Sequence, residues 1–166
     1  MKYPIALLAT TLSVLLVGCT PAKLVQPEPT AADQQAEVII YRDGGYNAGG
    51  VQMIFGEEER DYVILKNDEW KALQLDSGTT DLFVRSNQGD KPFYLTTELP
   101  PSERKCFRAY ANPSNYAKAL LLNLAYFFGN TFLMEEMDCP SEKTLAEKIE
   151  GYPQEEATEE TGATVQ

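Results

Sequence analysis

The chain has 166 residues, of which 43% are apolar, and it carries 25 acidic side chains against 14 basic ones. This length corresponds to one domain. The formal charge of −11 excludes the usual kind of nucleic-acid binder, because such proteins need a basic surface to replace counterions. The sequence contains no histidine, which removes the usual general base and the commonest metal ligand.

The first eighteen residues have the organisation of an export signal. Lys2 precedes an apolar run at residues 4–17, which suits a signal peptide and is shorter than the ~20 residues that span a bilayer. The run ends in Leu16-Val17-Gly18-Cys19. Here the chain resembles bacterial lipoprotein precursors, whose lipobox has Leu, a small or aliphatic residue, Gly or Ala, and then Cys. The alternative is an ordinary secretory signal, or a short anchor helix with an incidental Cys, although no A-x-A-like cleavage site is present.

The resemblance to lipoprotein precursors implies a cellular location. Cleavage would follow Gly18, and Cys19 would receive a diacylglyceryl group and a further acyl chain such as palmitate. Two or three acyl chains make a stable membrane anchor. In that family an Asp directly after the Cys retains the protein at the inner membrane, whereas this chain has Thr20. We therefore expect a protein anchored by lipid to the bacterial outer membrane and facing the periplasm.

The cysteine count agrees with this location. Assigning Cys19 to lipid leaves an even pair, Cys106 and Cys139, and the periplasm permits a disulfide between them. If the strands predicted at 105–111 and 131–137 are antiparallel neighbours, the two cysteines come within bridging distance. Two free buried thiols are the alternative.

Composition divides the mature chain into three parts. Residues 19–36 contain three prolines and few large apolar side chains, which predicts a flexible tether. Residues 37–152 form the predicted domain. Residues 153–166 carry four glutamates and no basic side chain, which predicts a disordered acidic tail.

Short apolar or alternating segments separated by turn residues predict a mainly β domain. The predicted strands are 37–41, 50–55, 61–66, 69–75, 79–86, 92–99, 105–111 and 131–137. Their spacing favours an antiparallel sandwich or barrel. We predict the antiparallel β-sandwich, of the immunoglobulin-like or transthyretin-like kind. Asn67-Asp68 is the predicted turn of a hairpin. Two helices are added near the C-terminus, at about 113–128 after the N-cap Asn112 and at about 140–150.

Three segments resemble a β-sandwich domain of unknown function found in proteobacterial lipoproteins. They are residues 36–42 (AEVIIYR), 98–103 (ELPPSE) and 131–136 (TFLMEE). This chain has Pro101-Ser102 where the family has a Pro-Gly turn, and its 113–128 helix is long for such a domain. The resemblance implies a sandwich fold and no catalytic residues.

Two segments are candidates for binding. The predicted helix at 116–128 is apolar on nearly every side, so it either packs in a cleft of the sandwich or contacts a membrane or an envelope protein. Its candidate partner contacts are Leu120, Leu124, Phe127 and Phe128. The Gly-rich segment at 41–50 could instead bind a glycan or peptide through Tyr41, Arg42, Asp43 and Tyr46, by stacking on a sugar or pairing with a carboxylate.

No motif for catalysis or cofactor binding is present. The chain lacks a nucleophile elbow, a P-loop and a dinucleotide fingerprint, and its acidic runs do not match an EF-hand loop. We therefore predict no cofactor, no metal site and no enzymatic activity. The first function hypothesis is a structural or accessory module that binds an envelope protein, and the second is a glycan- or peptide-binding module. A hydrolase that uses two carboxylates is the third, and it would need two buried acids ~5–10 Å apart in a cleft.

Overall fold

The structure, a computed structural model, describes residues 22–28, 31–45, 51–114 and 129–153. These residues form eight strands and one regular α-helix. The strands are β1 (Gln35–Arg42), β2 (Met53–Glu57), β3 (Arg60–Leu65), β4 (Trp70–Asp76), β5 (Gly78–Ser86), β6 (Phe93–Leu99), β7 (Arg104–Ala111) and β8 (Phe132–Met137), and the helix is α1 (Glu142–Lys148). The prediction of a mainly β chain is confirmed, and each predicted strand is present to within a few residues.

The strands form two four-stranded sheets. Sheet I has the order β4-β1-β7-β8, and sheet II has the order β3-β2-β5-β6. All pairs in sheet II are antiparallel. In sheet I, β1 is antiparallel to β4 but parallel to β7. The prediction of a purely antiparallel sandwich is therefore wrong for the pair β1–β7, whose parallel alignment requires a long crossover. That crossover contains all of sheet II.

The facing sides of the two sheets share one hydrophobic core, to which every strand contributes. Ala36, Val38 and Ile40 enter it from β1, because alternate side chains of a strand point to the same face. Phe107 from β7 and Phe132 from β8 are among its largest fully buried side chains. This shared core is consistent with the predicted β-sandwich.

The turn at Asn67-Asp68 joins the two sheets and does not close a hairpin. β3 is an edge strand of sheet II, whereas β4 is an edge strand of sheet I. Asp68 has a φ of 57°, and the amide of Glu69 donates to the carbonyl of Lys66 across the turn (3.3 Å). The hairpin prediction is wrong because turn residues specify a change of direction and not the strand with which the next segment pairs.

Helix α1 covers part of the outer face of sheet I. Its N-cap is Ser141, whose Oγ accepts a hydrogen bond from the amide of Thr144 (3.4 Å). Leu145 and Ile149 pack on Ile39 of β1. Because Ile39 is buried outside the sandwich while Ile40 is buried inside it, β1 is apolar on both faces. The helix is shorter than the predicted 140–150.

A disulfide joins Cys106 and Cys139, as predicted, and their Cα atoms are 5.2 Å apart. β7 and β8 are antiparallel neighbours, and Cys106 lies opposite Met137 in their register. Cys139 follows the end of β8 by two residues, so the bond closes this end of the β7–β8 pair. Cys106 also packs against Leu145, so the disulfide adjoins helix α1.

Part of the segment predicted to be a flexible tether contacts the domain. Leu24 forms an isolated parallel bridge with Asp61 of β3, and the amide of Val25 donates to the carbonyl of Asp61 (2.8 Å). Residues Ala32–Gln34 form a 3₁₀ turn, and β1 begins at Gln35, two residues before the predicted domain boundary. The division of the chain into tether, domain and tail stays a prediction, to which these contacts add a docked position for Leu24 and Val25.

Other predicted segments lie outside the described residues. They include the export signal and residues 154–166 of the acidic tail. At the predicted 113–128 helix, Asn112 Oδ1 accepts a hydrogen bond from the amide of Ser114 (3.0 Å), as an N-cap residue does. Residues 115–128 are not among the described ones.

Candidate functional site

The outer face of sheet I, on which α1 packs, also carries two stacked aromatic rings. Tyr41 and Trp70 are directly opposite each other in the β1–β4 register. Their ring centroids are 4.3 Å apart and their planes are inclined by 20°. Both side chains are half-buried. We call Tyr41 and Trp70 the aromatic pair; it combines a large apolar surface with a polar hydroxyl, which is typical of recognition surfaces.

The turn between β3 and β4 holds the aromatic pair in place. The hydroxyl of Tyr41 donates a hydrogen bond to Asp68 Oδ1 (3.1 Å), and the amide of Gly44 donates to the same oxygen (3.1 Å). A Cβ atom at position 44 would come within 2.1 Å of Asp68 Oδ2, so only glycine allows this approach. Asp68 therefore links the end of β1 to the start of β4.

A charged cluster lies beside the aromatic pair on the same face. Arg108 Nε donates to Asp43 Oδ2 (3.1 Å), and Arg108 Nη2 donates to the same oxygen. Arg108 Nη1 is 3.6 Å from Glu135 Oε1, and its guanidinium carbon is 5.6 Å from the ring centroid of Tyr110. The Arg108 side chain is 44% exposed, so a ligand can reach it. We call Asp43, Arg108 and Glu135 the charged cluster.

The protonation states of the site follow from these contacts. Burial raises the pKa of the Tyr41 phenol above its ordinary value, and the hydrogen bond to Asp68 raises it further. The hydrogen bond to Asp43 raises the pKa of Arg108, although burial acts in the opposite direction. Near neutral pH the site therefore presents a neutral phenol and a guanidinium cation, and both are hydrogen-bond donors.

Arg42 does not belong to this surface. Its side chain is 1% exposed because it shares the inward-facing parity of Val38 and Ile40. Nη1 donates to the carbonyl of Leu65 (2.7 Å), and the guanidinium carbon is 4.9 Å from the ring centroid of Phe132. Burial lowers the pKa of Arg42. The prediction that Arg42 contacts a ligand is corrected, because Arg42 is a core residue.

The remaining predicted site residues lie outside the described ones. They are Cys19, Tyr46, Leu120, Leu124, Phe127 and Phe128. Of the predicted ligand contacts, the structure brings together Tyr41 and Asp43. It adds Trp70, Asp68 and Arg108 to them.

Sequence reasoning missed these three residues because each comes from a distant strand or turn. Trp70 packs beside the Ile39 cluster. The spacing of Trp70, Ala72 and Gln74 along β4 indicates that their side chains share one face of the strand. Only the pairing of β4 with β1 brings Trp70 to Tyr41. Arg108 likewise comes to lie opposite Tyr41 only because β7 pairs with β1, although the two residues are distant in the sequence.

A second polar region lies at the opposite end of β1. A pocket of ≈ 310 Å³ is lined by Gln35, Glu37, Gln74, Ser102, Glu103 and Arg104. Arg104 pairs with Glu37 of β1 and with Glu142 of α1, and the hydroxyl of Tyr152 donates to Glu37 Oε2 (3.2 Å). Burial lowers the pKa of Arg104, but the hydrogen bonds to Glu142 and Glu37 outweigh it and the net shift is upward. This network fastens α1 and the following residues to sheet I.

The buried acids of the described ranges are held by structural donors. Glu57 accepts hydrogen bonds from the hydroxyls of Tyr62 (2.7 Å) and Thr80 (2.6 Å). Asp61 accepts two hydrogen bonds from Arg85. Asp90 accepts from the amides of Ser86 and Thr131, which joins the loop after β5 to the start of β8.

Within 22–28, 31–45, 51–114 and 129–153, no group of three or more acidic or cysteine side chains is placed to hold a metal ion. Across those same ranges, no helix has the length and apolar character needed to cross a bilayer.

Comparison of the chain with protein-family models, with curated proteins and with solved structures found no match.

Proposed function

We propose that the chain is a lipid-anchored protein of the bacterial cell envelope that acts as a structural or accessory binding module. The observation that supports the proposal is the order of the segments along the chain. A lipobox ending at Cys19 follows an apolar signal and precedes a β domain that is closed by a disulfide. Disulfides persist in oxidising compartments, of which the periplasm is one. Thr20 after Cys19 favours the outer membrane over the inner membrane.

The finer fold assignment is part of the same proposal. We assign the two sheets to an immunoglobulin-like or transthyretin-like sandwich, and to the domain of unknown function found in proteobacterial lipoproteins. The parallel alignment of β1 with β7 and the helix α1 on the outer face of sheet I are the features that a relative would have to share.

Metabolic labelling with a radioactive fatty acid tests the anchor. The full-length chain is expected to incorporate the label, and Cys19→Ser is expected to abolish it. Cys139→Ser is the matched control, because it removes the disulfide and leaves the lipobox intact. Equal labelling of Cys19→Ser and the unmodified chain would contradict the anchor.

For the binding partner we propose an envelope protein that contacts the 116–128 segment. The support is the apolar character of this segment in the sequence. A photoreactive amino acid placed in turn at Leu120, Leu124, Phe127 and Phe128 in living cells should give one discrete crosslinked product. The same probe at Glu98, an exposed position on the edge strand β6, is the control. No product at any of the four positions would overturn this assignment.

The aromatic pair and the charged cluster favour a second candidate function, the binding of a glycan or peptide. Aromatic faces stack on sugar rings, and an exposed guanidinium pairs with a carboxylate in a bidentate manner. Peptidoglycan fragments carry both kinds of group. Tyr41, Trp70 and Arg108 lie on one face of sheet I, and the binding surface would not need Arg42.

Trp70 is the only tryptophan of the chain, so its fluorescence reports on this surface. Soluble peptidoglycan fragments titrated into the full chain should change its emission saturably. Tyr41→Ala should weaken binding about three- to tenfold, because a stacked aromatic contributes ~0.5–1.5 kcal/mol. Tyr94→Ala, which removes an exposed ring on sheet II, should leave the affinity unchanged. An emission spectrum that no fragment changes would overturn this candidate.

We propose a non-enzymatic role. The support is that Glu57, Asp61 and Asp90, the buried acids of the described residues, are all engaged by hydrogen bonds that stabilise the fold. A carboxylate hydrolase would need a pair of such acids facing a substrate across a cleft. Hydrolysis of peptidoglycan by the purified chain, abolished by Glu57→Gln, would overturn this part of the proposal.

A further inference from the structure

The edge of sheet II is covered by the segment that follows the predicted lipid attachment site. Leu24 bridges to Asp61 in parallel with β3, and the amide of Val25 donates to the carbonyl of the same residue (2.8 Å). Asp61 is itself fixed by its ion pair with Arg85 of β5 (2.6 Å). These contacts give Leu24 and Val25 a defined place beside β3.

The same segment presents apolar side chains to the outside. Leu24 is 50% exposed and Val25 is 41% exposed. Tyr94, at 51%, is the other exposed large apolar side chain in the part of the chain that the structure describes. Tyr94 lies on β6, at the opposite edge of the same sheet. Two of these three side chains therefore adjoin each other on the β3 edge.

The distance along the chain from Cys19 identifies what covers Leu24 and Val25. Leu24 follows Cys19 by five residues. Five residues span at most ~18 Å when fully extended, at ~3.3–3.6 Å per residue. If Cys19 carries its acyl chains in the bilayer, the backbone of Leu24 cannot lie farther than this from the backbone of Cys19, which its thioether to the lipid glycerol holds at the membrane surface. Lys23 is exposed beside it and can contact lipid phosphate.

We propose that the β3 edge of sheet II is the membrane-facing surface of the domain, with Leu24 and Val25 in the headgroup layer of a phospholipid bilayer. This inference rests on the proposed lipidation of Cys19. It adds an orientation that lipidation alone does not fix. β6 lies three strand spacings away from β3, which is ~14 Å at ~4.8 Å per spacing, and Tyr94 stays in water.

Hydroxyl-radical footprinting of the lipidated full chain in vesicles of phosphatidylethanolamine and phosphatidylglycerol tests the orientation. The reference is the Cys19→Ser chain in buffer. Oxidation of Leu24 and Val25 should fall about threefold or more on the vesicles, because the headgroup boundary excludes water. Oxidation of Tyr94 should be the same in both samples. Vesicle flotation and the intact mass of the same sample report whether the anchor is present.

A second measurement does not need the Cys19→Ser chain. Vesicles that contain a lipid with a photoactivatable group near the glycerol should label Leu24 or Val25 and leave Tyr94 unlabelled. Two results in an acylated sample that floats would overturn the orientation while the anchor stands. One is unchanged oxidation of Leu24 and Val25, and the other is equal protection of Leu24, Val25 and Tyr94. A sample that is neither acylated nor floats would overturn the anchor and the orientation together.

Discussion

Tyr41 and Trp70 face each other across the β1–β4 pair, and their rings stack with centroids 4.3 Å apart. The hydroxyl of Tyr41 also donates a hydrogen bond to Asp68, which lies in the turn between the two sheets. The stack therefore joins the candidate binding surface to the connection between sheet I and sheet II.

The two contacts of Tyr41 can be separated by substitution. Tyr41→Phe removes the hydrogen bond to Asp68 and should lower the free energy of unfolding by about 0.5–1.5 kcal/mol. Tyr41→Ala also removes the stacked ring, so it should cost ~0.5–1.5 kcal/mol more and shift the Trp70 emission to longer wavelength. Urea unfolding followed by Trp70 fluorescence measures both variants. Identical spectra and stabilities for the two would show that the stack contributes nothing.

The disulfide should make a large contribution to stability. It closes a loop with a sequence separation of 33 residues. Loss of this loop constraint should lower the free energy of unfolding by about 3–4 kcal/mol in the chain-entropy model. The measurement compares urea unfolding of the oxidised protein with that of Cys106→Ala/Cys139→Ala. A difference below ~1 kcal/mol would contradict a structural role for the bond.

Arg42 should behave as a core residue under mutation. Arg42→Ala removes a fully buried side chain and the donor to the Leu65 carbonyl, so it should lower the free energy of unfolding by about 2–4 kcal/mol. Lys71→Ala is the matched control, because it removes a surface cation whose pair with Glu69 is worth at most ~1 kcal/mol. Chemical denaturation checks both. Equal small effects would place Arg42 on the surface.

The protein should lose stability in alkali. Burial and a hydrogen bond to Glu57 raise the pKa of Tyr62 above the ordinary value of 10.0, and burial and Glu37 raise that of Tyr152. For an acid whose pKa is higher in the folded chain than in the unfolded chain, the stabilisation is intact below the unfolded pKa and is lost as pH rises through the folded one.

The free energy of unfolding should therefore begin to fall above pH 10.0. Urea unfolding measured at a series of alkaline pH values checks this expectation. Tyr62→Phe should flatten the decline, because it removes one ionisable group, and Tyr94→Phe is the matched control at an exposed ring. A decline in Tyr62→Phe as steep as in the unmodified chain would assign the alkaline transition to other groups.

The strands were predictable because each is a local pattern. The apolar and alternating segments from residue 37 to residue 137 carry their own signal, and turn residues separate them. Pairing was not predictable to the same degree. The change of sheet at Asn67-Asp68 and the parallel alignment of β1 with β7 depend on contacts between residues that are distant in the chain.

The candidate site was predictable only in part, for a related reason. Tyr41 and Asp43 lie next to each other in the sequence, whereas Trp70 and Arg108 reach them through strand pairing. The inward direction of Arg42 was available from its parity with Val38 and Ile40. Helix α1 buries part of the outer face of β1, so Ile39 on that face is apolar as well. A strand that is buried on both faces shows no alternation, and the inward direction of Arg42 was therefore not evident in the sequence.

The intact mass of the mature protein, purified from membranes of the cells that make it, tests the central claim most directly. We predict a chain that begins at Cys19 and carries a diacylglyceryl group and one further acyl chain. An unacylated chain, whether it begins at Met1 or after a different cleavage site, would contradict the account.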